Sequence, residues 1–251
     1  MSEVDYLKVG AGYRLAFERI PGDGPTLVFL SGLRSDLTGS KASHLADLCR
    51  SRGQNFLRFD YRGHGRSEGL FEEHGIGDWH ADTMAMLEQV VDGPFILVGS
   101  SMGGWQALLA GLRLPQRIRG LIGIAAAPDF TARVVEPALD AEARATLARD
   151  GKLLVPNPYG EPLPLTAGFM RDAARHLVMQ DSIAIRCPVH LLHGQEDREV
   201  PWSTALELAS CLESRAVTVE LVKDGDHRLS RPDDLYRLEQ AVDRVMQQAD
   251  L

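Results

Sequence analysis

An apolar run, Pro94-Phe95-Ile96-Leu97-Val98, stops at Gly99-Ser100-Ser101-Met102-Gly103-Gly104 and gives way at once to Trp105-Gln106-Ala107-Leu108-Leu109-Ala110. No other stretch limits the fold as strongly. A β-rich run, a serine held between glycines and then a helical pattern read as a strand that turns sharply into a helix. Gly99 and Gly103 leave room for neighbouring backbone around a strained residue, and Gly104 lets the helix lie close to the sheet. A turn of this kind stands a hydroxyl clear above a strand end, which points to Ser101 as a nucleophile. The other reading is a Gly/Ser-rich loop that only joins strand to helix, so the rest of the chain has to decide.

The strand-then-helix rhythm recurs. Tyr13-Arg14-Leu15-Ala16-Phe17-Glu18-Arg19 alternates apolar and polar residues, as a half-exposed strand does, and forms an antiparallel hairpin with residues 5–9. The runs at 26–30, 56–59, 95–98, 120–124, 189–192 and 217–221 are more continuously apolar, which suits buried parallel strands. Helical patterns lie between them at 40–52, 78–92, 102–114, 203–213 and 232–249. The alternation predicts an α/β fold with a mostly parallel central sheet flanked by helices. A chain of 251 residues without a linker-like stretch reads as one domain over 1–251. The interval 127–186 breaks the rhythm: helical sequence at 136–149, a proline-rich passage at 156–164 and a second helical pattern at 166–179. It reads as an insertion that caps the carboxyl edge of the sheet.

Composition removes several function classes. Hydrophobic residues make up 44% of the chain, yet no stretch reaches the ~18–20 apolar residues that cross a bilayer, so no membrane span is expected. The formal net charge is −8 and no Lys/Arg stripe exists, which argues against a nucleic-acid partner. Cys49, Cys187 and Cys211 are odd in number and lack metal spacing, and His44, His74, His80, His176 and His190 form no ligand pair, so no metal or cofactor is expected. The start, Met1-Ser2-Glu3-Val4-Asp5, is acidic and polar and has neither a secretory nor a transit-peptide character, so a cytoplasmic address is expected.

A serine nucleophile needs a base to take its proton. In the strand-turn-helix architecture the acid and then the base follow the serine, each in a loop after a later strand. Two loops qualify: His193-Gly194-Gln195-Glu196-Asp197 and Asp224-Gly225-Asp226-His227. Asp197 is assigned as the orienting acid and His227 as the base; Glu196 and Asp226 are the rivals for the acid, one being a residue early and the other adjacent to the base. Alone, His227 reads as a solvated loop histidine; with Ser101 upstream and an acid between, three independent placements agree. Two backbone donors must also face the oxyanion: the N–H of Met102, at the positive end of the following helix, and that of Leu33, in the loop after the strand at 26–30. Loop 60–67, Asp60-Tyr61-Arg62-Gly63-His64-Gly65-Arg66-Ser67, reads as a structural brace beside the site rather than a catalytic element.

These elements together resemble the α/β-hydrolase superfamily over almost the whole chain. A narrower resemblance is to its mitochondrial α/β-hydrolase-domain group of palmitoyl-protein thioesterases and acyl-glucuronide esterases. It rests on Gly39-Ser40-Lys41-Ala42, on the serine turn with Trp105, on Leu191-Leu192-His193-Gly194 with Val200-Pro201-Trp202, and on Asp226-His227-Arg228. The resemblance implies cleavage of an ester or thioester in a small-molecule or acylated-protein substrate, with Ser101, Asp197 and His227 in the family's catalytic roles and no cofactor. An aminopeptidase or a carbon–carbon bond hydrolase would use the same three residues, and a ligand receptor would keep them without turnover; a haloalkane dehalogenase is disfavoured because its nucleophile is an aspartate. Tyr159, Leu163, Leu165, Phe169 and Met170 are candidates to line an acyl channel, although the insertion's own core accounts for them more simply.

Overall fold

The computed structural model of the chain describes residues 4–10, 12–155 and 162–249. The chain enters through β1 (Asp5–Val9) and β2 (Tyr13–Ile20), paired antiparallel with Leu7 opposite Leu15. β3 (Asp23–Leu30), α1 (Ser40–Arg52) and β4 (Gln54–Phe59) follow, then α2 (Ile76–Gln89), β5 (Phe95–Ser100), α3 (Met102–Arg113) and β6 (Ile118–Ile124). Beyond β6 come α4 (Glu136–Ala138), α5 (Ala141–Asp150), β7 (Lys152–Val155), β8 (Leu163–Thr166) and α6 (Ala167–Ala173). The chain closes with β9 (Val189–Gly194), α7 (Ser203–Cys211), β10 (Val217–Val222) and α8 (Pro232–Ala249).

Eight strands form one sheet in the order β1-β2-β4-β3-β5-β6-β9-β10. β2 meets β4 antiparallel, and every pairing from β4 to β10 is parallel. β5 and β9 are buried along their whole length, which is why their sequences run apolar without alternating. Their side chains still divide between two faces. Val28, Leu57, Leu97 and Leu191 pack under α2, α3 and α7 with Trp79, Trp105 and Leu208. Ile96, Val98, Ile122 and Leu192 pack under α1 and α8 with Leu45, Leu238 and Val242. β3 lies between β4 and β5, so the chain leaves β3 in one direction and returns on its other side at β5. A crevice opens where strand order reverses in this way, at the carboxyl ends of β3 and β5.

The segment between β6 and β9 departs from the sequence reading in detail. The helix expected at 136–149 is divided into α4 and α5, because Asp140 turns back on the chain and its carboxylate accepts the Ala143 N–H at 2.8 Å, capping a new helix. The helix expected at 166–179 ends at Ala173 and is capped at its start by Thr166, whose hydroxyl accepts the Phe169 N–H at 3.0 Å. Around the proline-rich passage, β7 and β8 pair antiparallel with Leu154 opposite Pro164. Tyr159 lies outside the described residues. Within those residues no helix is long and apolar enough to cross a membrane, and no cluster of ligating side chains is placed to hold a metal ion.

Candidate active site

Ser101 stands between the last residue of β5 and the first of α3 with φ 53° and ψ −120°. A non-glycine residue in this region stores about 1–3 kcal/mol of strain, so the surroundings must hold it there. They do so by close approach. A Cβ on Gly99 would strike the Gly103 carbonyl, and one on Gly103 would strike the carbonyl of Leu30 and lie 2.8 Å from that of Ser31. At Gly104 a Cβ would come within 2.6 Å of the Ala126 side chain, so this glycine is what lets α3 reach the segment after β6. The Ser101 N–H donates to Ile124 O at 2.9 Å and its carbonyl accepts from Ala127 N–H at 3.0 Å.

The two later loops converge on this turn. His227 follows β10, and its Nε2 lies 3.1 Å from Ser101 Oγ. Its Nδ1 lies 2.7 Å from Asp197 Oδ2, across the register that sets β10 beside β9. A carboxylate only accepts, so Nδ1 carries the hydrogen and leaves Nε2 free to accept from the serine hydroxyl. The Asp197 side chain is fully buried. Burial pushes its carboxyl up, but donors from His193 and His227, the imidazole of His227 and the Val200 N–H outweigh that and hold it well below the ordinary carboxylate range. Of the rivals, Asp226 spends its carboxylate on the Leu229 N–H at 2.9 Å, and Glu196 is exposed with its backbone tied to Gly225.

Three neighbours escape a reading of the sequence. Buried His193 lies with Nε2 3.0 Å from Asp197 Oδ2 and 3.2 Å from Val200 O, so Nε2 is the protonated nitrogen and Asp197 receives a second imidazole donor. Glu199 places Oε2 3.7 Å from His227 Nε2. Lys41, at the start of α1, donates from Nζ to Arg228 O, with Ser230 Oγ at 3.5 Å, and so ties α1 to the loop that carries His227. Burial, then the neighbouring Arg228, lowers its ammonium to about 8 against the opposing pull of Asp226 and Asp234. Nothing in sequence spacing foretells a contact between residues 41 and 228; only the His193-Gly194 word hinted at the first of the three.

A cavity of about 530 Å³ opens over Ser101, and Leu33, Met102 and His227 also line it. Met102 begins α3, so its N–H is one of the first-turn donors without an intrahelical acceptor. Gly32 abuts the turn, an added Cβ meeting Ser101 Cβ at 3.3 Å, which brings the Leu33 loop alongside. A narrower apolar pocket of about 40 Å³ shares Leu33, Phe130 and Leu163 with the larger one and is lined further by Phe71, Leu165 and Phe169. Met170 lines neither pocket and packs against the core instead.

Loop 60–67 braces the site. Asp60 accepts the Leu37 N–H at 2.6 Å and the Arg66 N–H at 2.8 Å, pinning the continuation of the Leu33 loop; burial raises its carboxyl to about 6 against those two bonds. Arg62 pairs with Asp82 of α2, at 2.6 Å, and not with Asp60. His64 is outside the cavity, packed edge-on against Tyr61, Phe71 and Trp79.

The family model described as serine aminopeptidase, S33 (Hydrolase_4), matches residues 25–162. The palmitoyl-protein thioesterase ABHD10, mitochondrial, of Mus musculus is 36% identical over 92% of this chain and 78% of its own length. The solved structure of mouse α/β hydrolase domain-containing protein 10 superposes with a TM-score of 0.91 at 34% identity, covering 98% of this chain and 99% of that one. A hydrolase from Agrobacterium vitis S4 superposes with a TM-score of 0.94 at 39% identity, with the same coverage of both chains. The architecture is therefore the α/β-hydrolase fold. One expectation is overturned: the polar start pointed to a cytoplasmic address, whereas the relatives of 34–36% identity are named as mitochondrial proteins.

Proposed function

The chain belongs to the α/β-hydrolase family, and from that premise we propose that it is a serine hydrolase of carboxylic esters or thioesters that works through an acyl-enzyme on Ser101. One observation carries the reading: Ser101 Oγ, the His227 ring and Asp197 Oδ2 lie in unbroken hydrogen-bond sequence at 3.1 and 2.7 Å. Ser101 Oγ attacks the acyl carbon while its proton passes to His227 Nε2. Asp197 stabilises the imidazolium through Nδ1–H without taking the proton itself. The N–H groups of Met102 and Leu33 receive the oxyanion. His227 then protonates the departing alcohol or thiol, and water attacks the acyl carbon with the same ring as base. The segment 127–186 acts as a cap whose Phe130, Leu163 and Phe169 bound the acyl side.

An aminopeptidase on the same three residues is disfavoured by the charge of the cavity. A substrate ammonium taken out of water needs carboxylates to receive it. Among the described lining residues Glu199 is the one carboxylate, set against Arg34, Lys41 and Arg228. A panel of p-nitrophenyl esters and acyl thioesters of rising chain length, beside amino-acid anilides, tests this: turnover is expected for esters and thioesters and absent for anilides. Anilide cleavage without ester cleavage overturns it.

A further inference from the structure

Arg34 directly follows the proposed oxyanion residue and stands out on three counts. Gly32 to Ser35 forms a turn closed by Ser35 N–H to Gly32 O at 3.1 Å, and Arg34 sits at its third position with φ 56°. Glycine or asparagine suits that position; an arginine there holds a strained backbone that glycine, having no Cβ, would relieve. Secondly, among the described residues the guanidinium has few partners. It lies 5.4 Å over the Phe71 ring and makes one long contact, Nη1 to Pro162 O at 3.4 Å, and no carboxylate among the described residues lies within ion-pair distance. Arg171 and Arg215 likewise have no ion pair among the described residues, but neither lines the cavity over Ser101. Thirdly, Arg34 lines the cavity over Ser101, where Glu199 occupies the His227 side and repels a second anion from it. Lys41 is already committed to Arg228 O.

We propose that Arg34 is the anion-recognising residue of this site, so that preferred acyl donors carry a carboxylate or phosphate close to the ester or thioester bond. The planar guanidinium presents paired N–H donors to such a group, and the Phe71 ring, 5.4 Å away, favours the cation there. The inference rests on Ser101 as the nucleophile and adds the class of substrate.

Two matched pairs of substrates test it and locate the anion. On the acyl side, p-nitrophenyl hexanoate is compared with the p-nitrophenyl half-ester of adipic acid. On the leaving-group side, the butyryl thioester of N-methyl-3-mercaptopropionamide is compared with that of 3-mercaptopropionic acid. The anionic member is expected to have the higher kcat/KM in at least one pair. In Arg34→Asn, which tolerates the backbone conformation, that preference ratio should fall by roughly tenfold, and in Arg34→Lys, which keeps the charge but loses the paired planar donors, it should fall part of the way. Should the asparagine variant fail to fold, Arg34→Gly suits the same φ and carries the test. Preference for the neutral member in both pairs, or a ratio unchanged on removal of the guanidinium, overturns the proposal. Fluorophosphonate labelling of Ser101, run in parallel, separates the two claims. Unlabelled folded parent protein defeats the nucleophile reading, whereas labelled protein indifferent to substrate charge defeats the Arg34 reading alone.

Discussion

Asp197 receives four donors: the rings of His193 and His227 on Oδ2, and the N–H groups of Glu199 and Val200 on Oδ1. A carboxylate so surrounded has one orientation, and the ring of His227 inherits it. On the proposed roles, His193 is a positioning residue that acts on His227 through Asp197. Replacing His193 with Phe removes a buried donor to a charged group, worth about 1.5–3 kcal/mol, so kcat/KM should fall roughly tenfold or more, and His193→Gln should restore part of it. Steady-state kinetics on one thioester would check this, and a phenylalanine variant as active as the parent would refute it. That Ser101, Asp197 and His227 come together was readable from sequence because each sits in a short word of glycines and polar residues after an apolar run. His193, Glu199 and Lys41 were not, since their roles come from contacts between loops that only the sheet brings together.

At the level of elements, the turn between β5 and α3 tolerates no side chain at its glycines. A Cβ at Gly103 meets two carbonyls of the β3 strand end, and neither can move without disturbing the Leu33 loop. Gly103→Ala should therefore cost about 1–3 kcal/mol or more of stability, as overpacking does, and lower activity with it. Gly168→Ala in the first turn of α6 is the contrast: its nearest neighbour is Thr166 Oγ1 at 3.7 Å, and alanine there, by restricting the unfolded chain, is expected to gain about 0.4–1 kcal/mol. Urea midpoints of the two variants should move in opposite directions. The central strands and their helices were legible because burial on both faces imposes continuous apolar runs. β7 and β8 were not: Pro164 within the run argues against a strand, and only the antiparallel pairing with β7 makes it one. Nor was the division of the long helical pattern, which depends on Asp140 spending its carboxylate on a cap.

At the scale of the whole molecule, two buried histidines contribute to the response to acid. Burial lowers His64 from 6.5 to about 4, with a bond to Arg62 O and the nearby Arg34 and His74 as lesser influences, and burial lowers His80 likewise to about 4. Between pH 6.5 and 4 the unfolded chain binds protons that these rings refuse in the fold, so their contribution is intact above 6.5 and is lost as the pH falls through that window. Asp60 opposes them, its carboxyl being raised from 3.8 to about 6, so the fold gains from its protonation on acidification. Comparison at matched pH isolates the histidine: the urea midpoint should drop less between pH 7 and 5 in His64→Leu than in the parent, and equal drops would contradict the assignment.

The fold brings an alcohol, an imidazole and a carboxylate to the rim of one sheet, and the account stands on that alcohol becoming acylated during turnover. Rapid acid quench of the enzyme with an acyl thioester, followed by peptide mass spectrometry, measures this directly. One acyl group is expected on the peptide holding Ser101, absent in Ser101→Ala. Turnover with no adduct at that serine, or with the acyl group on another residue, would contradict it.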